Sequence, residues 1–483
     1  MKGHFREKIS QLLFSVSIIF LLIVFVLEIN GGIGAPACLA ASFAIILAIV
    51  ILLFRKKNKQ IQISKKVKKV LLIIFVIIAI FARAAPLFIG MNHLCENNLS
   101  DTGIHYFGAQ ELAKGRLEKR ILGYDAMYPY LLPYTVILSV FTSILGINTA
   151  IVVSNIIFDA MGCLFVYLIL KKIGASAKTG ALLWAINPFS IIMCWLPLNI
   201  VCVNMLLAII VYISICLYLE CDYKKKVSLS LLLGLSVFLC NLFRPIFIVV
   251  PIALTIIMLI SKKVNLKNFF CFVVIFISIA VPTQICSYVA KTMANGDDIF
   301  GSSGGWSFYV GSNYESKGQW TREDSNYFFG TVKKKSQTIS EAQNTIKKEG
   351  MKRYSEMGMI KIANHIANKM SVMFSDVGDA IHDICYEFGI NDGSFLYIAL
   401  KSIVGAYFMF LSFCSLLYIY ESQIDKERSS NKDVSLLILL IFMGLCAGFL
   451  LVEVMNRYSS VFFVLTIILT AMFLSKKSEH QVS

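Results

Sequence analysis

Residues 199–220 read Asn199-Ile-Val-Cys-Val-Asn-Met-Leu-Leu-Ala-Ile-Ile-Val-Tyr-Ile-Ser-Ile-Cys-Leu-Tyr-Leu-Glu220, and Cys-Asp-Tyr-Lys224-Lys-Lys226 follows directly. The run carries no charge before its last residue, and it has the length of about 20 residues that a helix needs to cross a bilayer. The lysines behind it are the residue type retained on the cytoplasmic side of a membrane. Comparable apolar runs lie at roughly 10–29, 36–54, 70–90, 149–170, 177–196, 227–243, 246–261, 269–290, 394–420, 434–453 and 458–475. With 199–220 they make about twelve expected spans, and a further run occupies about 130–146.

Composition agrees. The chain has 483 residues, 57% hydrophobic and only 15% charged, with a mean hydropathy of +0.74. A soluble domain is about 45–50% apolar and about 25% charged, and a disordered chain is less apolar still. The net charge of +16 comes from 45 Lys and Arg against 29 Asp and Glu. Its distribution argues against nucleic acid as the partner. Arg55 to Lys69, Lys171–Lys172 with Lys178, Lys224–Lys226, Lys262–Lys267, Lys426–Lys432 and Lys476–Lys477 fall in alternate connectors. The intervening turns at 30–35, 197–198, 244–245 and 454–457 carry two arginines between them. All basic connectors share one side if 130–146 lies along the outer leaflet, its start marked by Pro129 and Pro133. The expected arrangement has both termini in the cytoplasm, with 91–148 and 291–393 outside. Most of the 13 cysteines sit in apolar runs as small hydrophobes; Cys95 and Cys385 lie in polar stretches and are a possible pair.

The polar stretches carry the candidate chemistry. Ser100-Asp101-Thr-Gly-Ile-His105-Tyr106-Phe has helical apolar spacing after Asp101, with Gly115 as a C-terminal stop. Asp101 suits an N-cap. It equally suits a general base, as a carboxylate just outside a bundle of membrane helices. Arg244-Pro245 interrupts an apolar stretch at an outer turn; it either snorkels to headgroups or offers a planar fork to a phosphate. Glu453-Val-Met-Asn-Arg457-Tyr458 repeats that character, with a Glu453–Arg457 i,i+4 pair as its simplest reading. The Gly304-to-Trp320 stretch, with Tyr309 and Asn313, supplies turns, ring faces and amides of the kind that hold a sugar. Asn187-Pro188 reads as a kink, and Met357–Phe374 as an amphipathic helix on the outer headgroups. His365 and His382 stand too far from other ligand types for a metal site.

Taken in order, these elements resemble the GT-C superfamily of membrane glycosyltransferases. The closest branch is that of the protein O-mannosyltransferases and lipid A aminoarabinose transferases (glycosyltransferase family 39-like). The resemblance runs from near Val70 and rests on seven weak motifs. They are Arg83, Asp101 with Tyr106…Ala109…Leu112…Gly115, Tyr128-Pro129-Tyr130, Asn187-Pro188, Arg244-Pro245, Tyr309-Val-Gly311-Ser-Asn313…Gly318, and Glu453…Arg457-Tyr458. It implies an all-α integral membrane fold with outer-leaflet juxtamembrane helices and one large extracytoplasmic loop. It also implies four regions: 1–69 (two extra N-terminal helices and a basic loop), 70–290 (the GT-C-like module with its first outer loop), the large loop 291–393, and the C-terminal helices 394–483.

The activity implied is transfer of a sugar, with inversion, from a polyprenyl-phosphate donor to an envelope glycan, lipid or protein acceptor on the outer face of a bacterial plasma membrane. By resemblance Asp101 is the catalytic base, and Arg244, Arg457 and Tyr128 hold the donor phosphate. His105, Tyr106, Asp125, Tyr309, Asn313, Glu453 and Tyr458 are the expected substrate contacts. The chain departs from the family twice. Ala126-Met127 stands where the aminoarabinose branch has Glu-Lys, leaving Asp125 as the nearby carboxylate. Asn199 stands where some relatives have an acidic metal ligand, so no metal ligand is assigned and a divalent metal stays open. Two other classes fit the composition: a flippase for polyprenyl-linked sugars and a non-catalytic assembly subunit.

Overall fold

The computed structural model describes residues 2–30, 65–89, 101–116, 124, 127–261, 265–293, 304–375, 381–382, 384–385, 390–391, 393–424 and 431–475. Most of these residues are helical, with no strand among them. In chain order the helices are α1 (Lys2–Asn30), α2 (Lys65–Ala84), α3 (Asp101–Ala113), α4 (Leu132–Leu145), α5 (Ile147–Lys172), α6 (Ala177–Ala185), α7 (Pro188–Met193), α8 (Ile200–Leu219) and α9 (Tyr223–Phe243). There follow α10 (Val249–Ile260), α11 (Leu266–Met293), α12 (Gly305–Gly311), α13 (Arg322–Tyr327), α14 (Ile339–Glu356), α15 (Met359–Ser375), α16 (Phe395–Ile424), α17 (Lys432–Leu451) and α18 (Ser460–Leu474).

Among the described residues, eight helical stretches are long and apolar enough to cross a membrane: Lys8–Glu28, Ile147–Lys172, Ile200–Leu219, Tyr223–Phe243, Leu266–Val289, Phe395–Gln423, Lys432–Leu451 and Asn456–Leu474. This is a multi-pass membrane protein. α8 and α18 are apolar on every side and sit at the centre of the bundle, as all-round hydrophobic helices must. The outer helices instead leave leucine and isoleucine exposed along one face, such as Leu231, Leu235 and Leu239 of α9 or Ile277 and Ile285 of α11. Such faces suit lipid.

Of the other four expected spans, 36–54 lies outside the described residues, 70–90 falls on the 20-residue α2 and a short helix at Pro86–Ile89, and two are built from shorter pieces. The described apolar part of α2 is Ile73–Ala84. Residues 177–196 form two short helices instead of one. The Asn187 side chain accepts hydrogen bonds from the Phe189 and Ser190 N–H groups, and Pro188 follows at the first helical position. That combination starts a new helix where a kinked one was expected. Residues 246–261 yield only the 12 residues of α10, because 244–248 turn before the helix begins. The run at 130–146 gives the 14-residue α4, which is too short to cross and packs back along α5.

The break between α6 and α7 is pinned from inside the bundle. Asp159 of α5 accepts Arg83 Nε at 2.7 Å, Trp184 Nε1 at 3.0 Å and the Ser190 hydroxyl. The same guanidinium donates to the Ala79 and Ala185 carbonyls, both at 3.0 Å. Arg83 and Asp159 are both almost completely buried.

The described parts of the lysine-bearing connectors at 171–178, 218–226, 261–267 and 431–433 gather at one end of the bundle. There Asn431 donates to the Ile173 carbonyl at 2.9 Å, and the Tyr218 hydroxyl reaches Asp433 at 2.5 Å and Ser261 at 3.0 Å. The alternation read from the sequence therefore corresponds to a common side. The opposite end carries α3, α4 and α12–α15.

Candidate functional site

At that opposite end lies a cavity of about 710 Å³. Of the expected site residues, Asp101, His105, Tyr128, Arg244, Glu453, Arg457 and Tyr458 line it, and so does Asn199. They come from the first turns of α3, the turn before α4, the end of α9 and the connector between α17 and α18. Chain order alone separates the first from the last by more than 350 positions.

Each side chain has a local cause for its position. Arg244 ends α9 in an extended conformation (φ −156°, ψ 115°), as a residue ahead of proline must. Its guanidinium lies over the Tyr458 ring, 3.9 Å from the centroid, and 5.7 Å from that of Phe449. Among the described residues it has neither a hydrogen-bond nor an ion-pair partner. Residues 452–455 are extended and 456–459 form one tight turn, so Glu453 and Arg457 are not i,i+4 neighbours on a helix. The ion pair that forms joins Arg457 Nη2 to Asp101 Oδ2 instead.

Asp101 also accepts the Tyr124 hydroxyl on Oδ1. It opens α3 with its carboxylate turned into the cavity cluster, where the capping reading had kept it at the helix start. One turn beyond Tyr124, the Tyr128 hydroxyl donates to Glu453 Oε1 at 3.1 Å, and the two tyrosine rings lie 5.1 Å apart. Two neighbouring tyrosines thus hold two carboxylates. Glu453 Oε2 has no partner among the described residues although the side chain is buried. Burial, helped by the Asp101 charge, pushes the Glu453 carboxyl up to about 7. Burial likewise pushes the Tyr124 and Tyr128 hydroxyls up, reinforced by Asp101 and by Glu453 respectively. His105 goes the other way: burial lowers it to about 4, so the ring is neutral, with Nδ1 at 2.7 Å from Thr135 Oγ1.

A second small core supports this wall. Met127, Tyr128, Trp306, Tyr309, Val310, Phe328 and Ile346 pack together. Buried Gln343 ties the pieces, accepting from Trp306 N at 2.8 Å and donating to the Met127 carbonyl at 3.2 Å. The Glu453 segment is held by backbone bonds from Glu453 N to Ser307 O (2.7 Å) and from Val454 N to Gly318 O (3.0 Å). Lys369 of α15 donates to the Gly311, Leu450 and Val452 carbonyls at 2.7–2.9 Å. Gly311 is required for this docking, since a Cβ there would sit 2.3 Å from the Val452 carbonyl carbon.

Tyr309 and Asn313 do not line the cavity. Arg353 stacks on the Tyr309 ring at 3.7 Å and pairs with Asp324 at 2.9 Å, and Asn313 donates to the same carboxylate at 2.8 Å. Their work is to hold the loop. Tyr106 packs against the bundle core and is also off the cavity. Asp125, and with Cys95 the Cys95–Cys385 pairing, lie outside the described residues. Conversely, Tyr124, Trp320, Arg322, Asn326 and Phe329 line the cavity without having been singled out. Tyr124 stands four residues before Tyr128, and Trp320 closes the aromatic stretch already noted, so both had a signal.

Among the described residues no donor set for a divalent metal is assembled. Asp101 is taken by Arg457, the Asn199 amide donates toward the Phe243 carbonyl at 3.5 Å, and no group of three His, Cys, Asp or Glu gathers among the described residues. Compared with family models, with curated proteins and with solved structures, the chain gives no match in any of the three.

Proposed function

We propose that this chain is a membrane glycosyltransferase of the GT-C type, moving a sugar from a polyprenyl-phosphate donor to an acceptor hydroxyl in this cavity. The observation that carries the reading is Arg244. An arginine held flat on Tyr458 with no polar partner, in a cavity shared with two carboxylates, is equipped for an anionic ligand and a proton transfer together. Leaving such a fork unpaired is costly, and a phosphate is the bidentate partner it fits best. As the acceptor oxygen bonds to C1 from the far side, the C1–O bond to the phosphate breaks. Arg244 then stabilises the charge gathering on the departing polyprenyl phosphate. A cavity carboxylate receives the hydroxyl proton.

In this reading the cavity end faces outward from the plasma membrane of a bacterium and both termini are cytoplasmic. Segments 36–54, 70–90, 177–196 and 246–261 complete about twelve crossings. The acceptor is an envelope glycan, lipid or protein. A flippase would draw on charge inside the bundle, and Arg83–Asp159 supplies one such pair. Its hydrogen bonds are already spent on Trp184, Ser190 and backbone carbonyls, which favours the transferase.

The test is a lipid extract from a deletion strain, read by mass spectrometry. A polyprenyl-phosphate sugar should accumulate on the outer leaflet, where a membrane-impermeant reagent applied to intact cells before extraction modifies it, and disappear when the full chain is restored. No accumulation, or accumulation on the inner leaflet, contradicts the reading.

A further inference from the structure

We propose that Glu453, not Asp101, is the group in the cavity that takes the proton from the acceptor hydroxyl, and that Asp101 is a positioning residue. The inference rests on the transferase reading and divides the labour between its two carboxylates.

The hydrogen bonding makes the division. Both Asp101 oxygens are committed, one to the Arg457 guanidinium and one to the Tyr124 hydroxyl. A carboxylate bridged in this way offers no oxygen without a partner to an incoming hydroxyl. Glu453 has one oxygen on Tyr128 and the other, Oε2, without a partner in a buried side chain that lines the cavity. A buried carboxylate oxygen with no donor is costly unless a ligand supplies one. The hydrogen of an acceptor hydroxyl is such a donor. Its segment is fixed on both sides, by Ser307 and Gly318 through the backbone and by Lys369 through Val452, so Oε2 is held in place before substrate arrives.

The bond changes balance. The acceptor oxygen forms its bond to C1 of the sugar, and its hydrogen moves to Glu453 Oε2. The C1–O bond breaks with its electron pair on the polyprenyl phosphate, which leaves as the anion. Glu453 later returns the proton to water. Every charged or titratable group facing Glu453 bears on this step. Asp101 raises its proton affinity, while Arg457, Arg244 and the Tyr128 hydroxyl lower it. The Tyr130 and Tyr458 hydroxyls also face it, and Lys369 senses its charge from α15. With burial as the largest influence, the carboxyl sits at about 7, close to the optimum for a base working at neutral pH.

The experiment uses the full chain in lipid nanodiscs with the polyprenyl-phosphate sugar that accumulates in the deletion strain. Single-turnover transfer and donor binding are measured between pH 5 and 9 for the wild type, Glu453→Gln, Glu453→Asp and Asp101→Asn. The wild-type rate should rise with pH and level off above about 7. Glu453→Gln should lose about 10²–10⁴-fold in rate, lose that inflection and still bind donor. Glu453→Asp should recover part of the rate and restore an inflection. Asp101→Asn should keep an inflection and move it to lower pH, because the charge that raises Glu453 is gone. If Asp101→Asn abolishes the inflection while Glu453→Gln retains rate and profile, the proposal is overturned and the transferase reading stands. A wild type inert toward every donor in that extract overturns both.

Discussion

Two of the clusters of buried charge in this protein differ in one respect. Arg83 and Asp159 pair with each other, further donors and acceptors from α2, α6 and α7 complete both, and no cavity adjoins them among the described pockets. Around Arg244 and Glu453, a guanidinium lies on aromatic rings without a polar partner and a carboxylate oxygen stands alone, both against a cavity of about 710 Å³. A satisfied buried charge pins helices together. An unsatisfied one, kept beside a cavity, is set for a ligand. The fold bears the cost of the second cluster because the first, with the apolar α8 and α18, holds the frame.

The sharpest way to break this contrast is to remove one partner from the satisfied pair. Arg83→Met strands Asp159 in the bundle and should destabilise the protein by about 3–5 kcal/mol, read as loss of monodisperse protein in detergent. Arg244→Met should leave yield and melting temperature close to wild type, since it strands no polar group. Equal damage from both would erase the distinction.

The next effect is a pH dependence of stability. Glu453 has its proton affinity raised by folding, from 4.5 to about 7, so the native state binds more protons than the unfolded one in that window. Stability should therefore fall as pH rises through the window and stay flat above it, by roughly 3 kcal/mol in all. Thermal melts at several pH values check this, and Glu453→Gln should flatten the slope.

Arg244→Lys keeps the charge and loses the planar fork. Donor affinity should weaken by about 1.5–3 kcal/mol, measured by titration with a polyprenyl phosphate, with melting unchanged. The smallest effect concerns the satisfied side. Asn187→Ala removes the cap that starts α7 and should cost about 0.5–2 kcal/mol of stability, with donor affinity untouched.

Much of this was legible beforehand, for reasons that differ by residue. Apolar length and the alternation of lysine-bearing connectors are local properties, and they made legible the membrane class, eight of the twelve expected spans as long apolar helices among the described residues, and the common side of the basic turns that are described. Asp101, Arg244, Glu453 and Arg457 were noticeable because charge is rare beside apolar runs, and the fold brings all four to one cavity. Pairing was not legible. Arg457 had Glu453 four positions away, yet its ion pair forms with Asp101 at the other end of the sequence, because an extended segment replaces the helix that spacing assumed. Tyr309 and Asn313 looked like sugar contacts, but Asp324 and Arg353 occupy them. The division of 177–196 was half-visible: Asn187-Pro188 announced a disturbance, and only the cap and the Asp159 network determine that it is a helix boundary.

The central claim is that Arg244 and its cavity hold the donor's phosphate. The most direct measurement is a cryo-electron microscopy structure of the full chain in nanodiscs containing a polyprenyl phosphate. The account predicts phosphate density within hydrogen-bonding distance of the Arg244 guanidinium, with the lipid tail leaving between helices toward the bilayer. Phosphate bound elsewhere, with Arg244 still resting on Tyr458 beside an empty cavity, would contradict it.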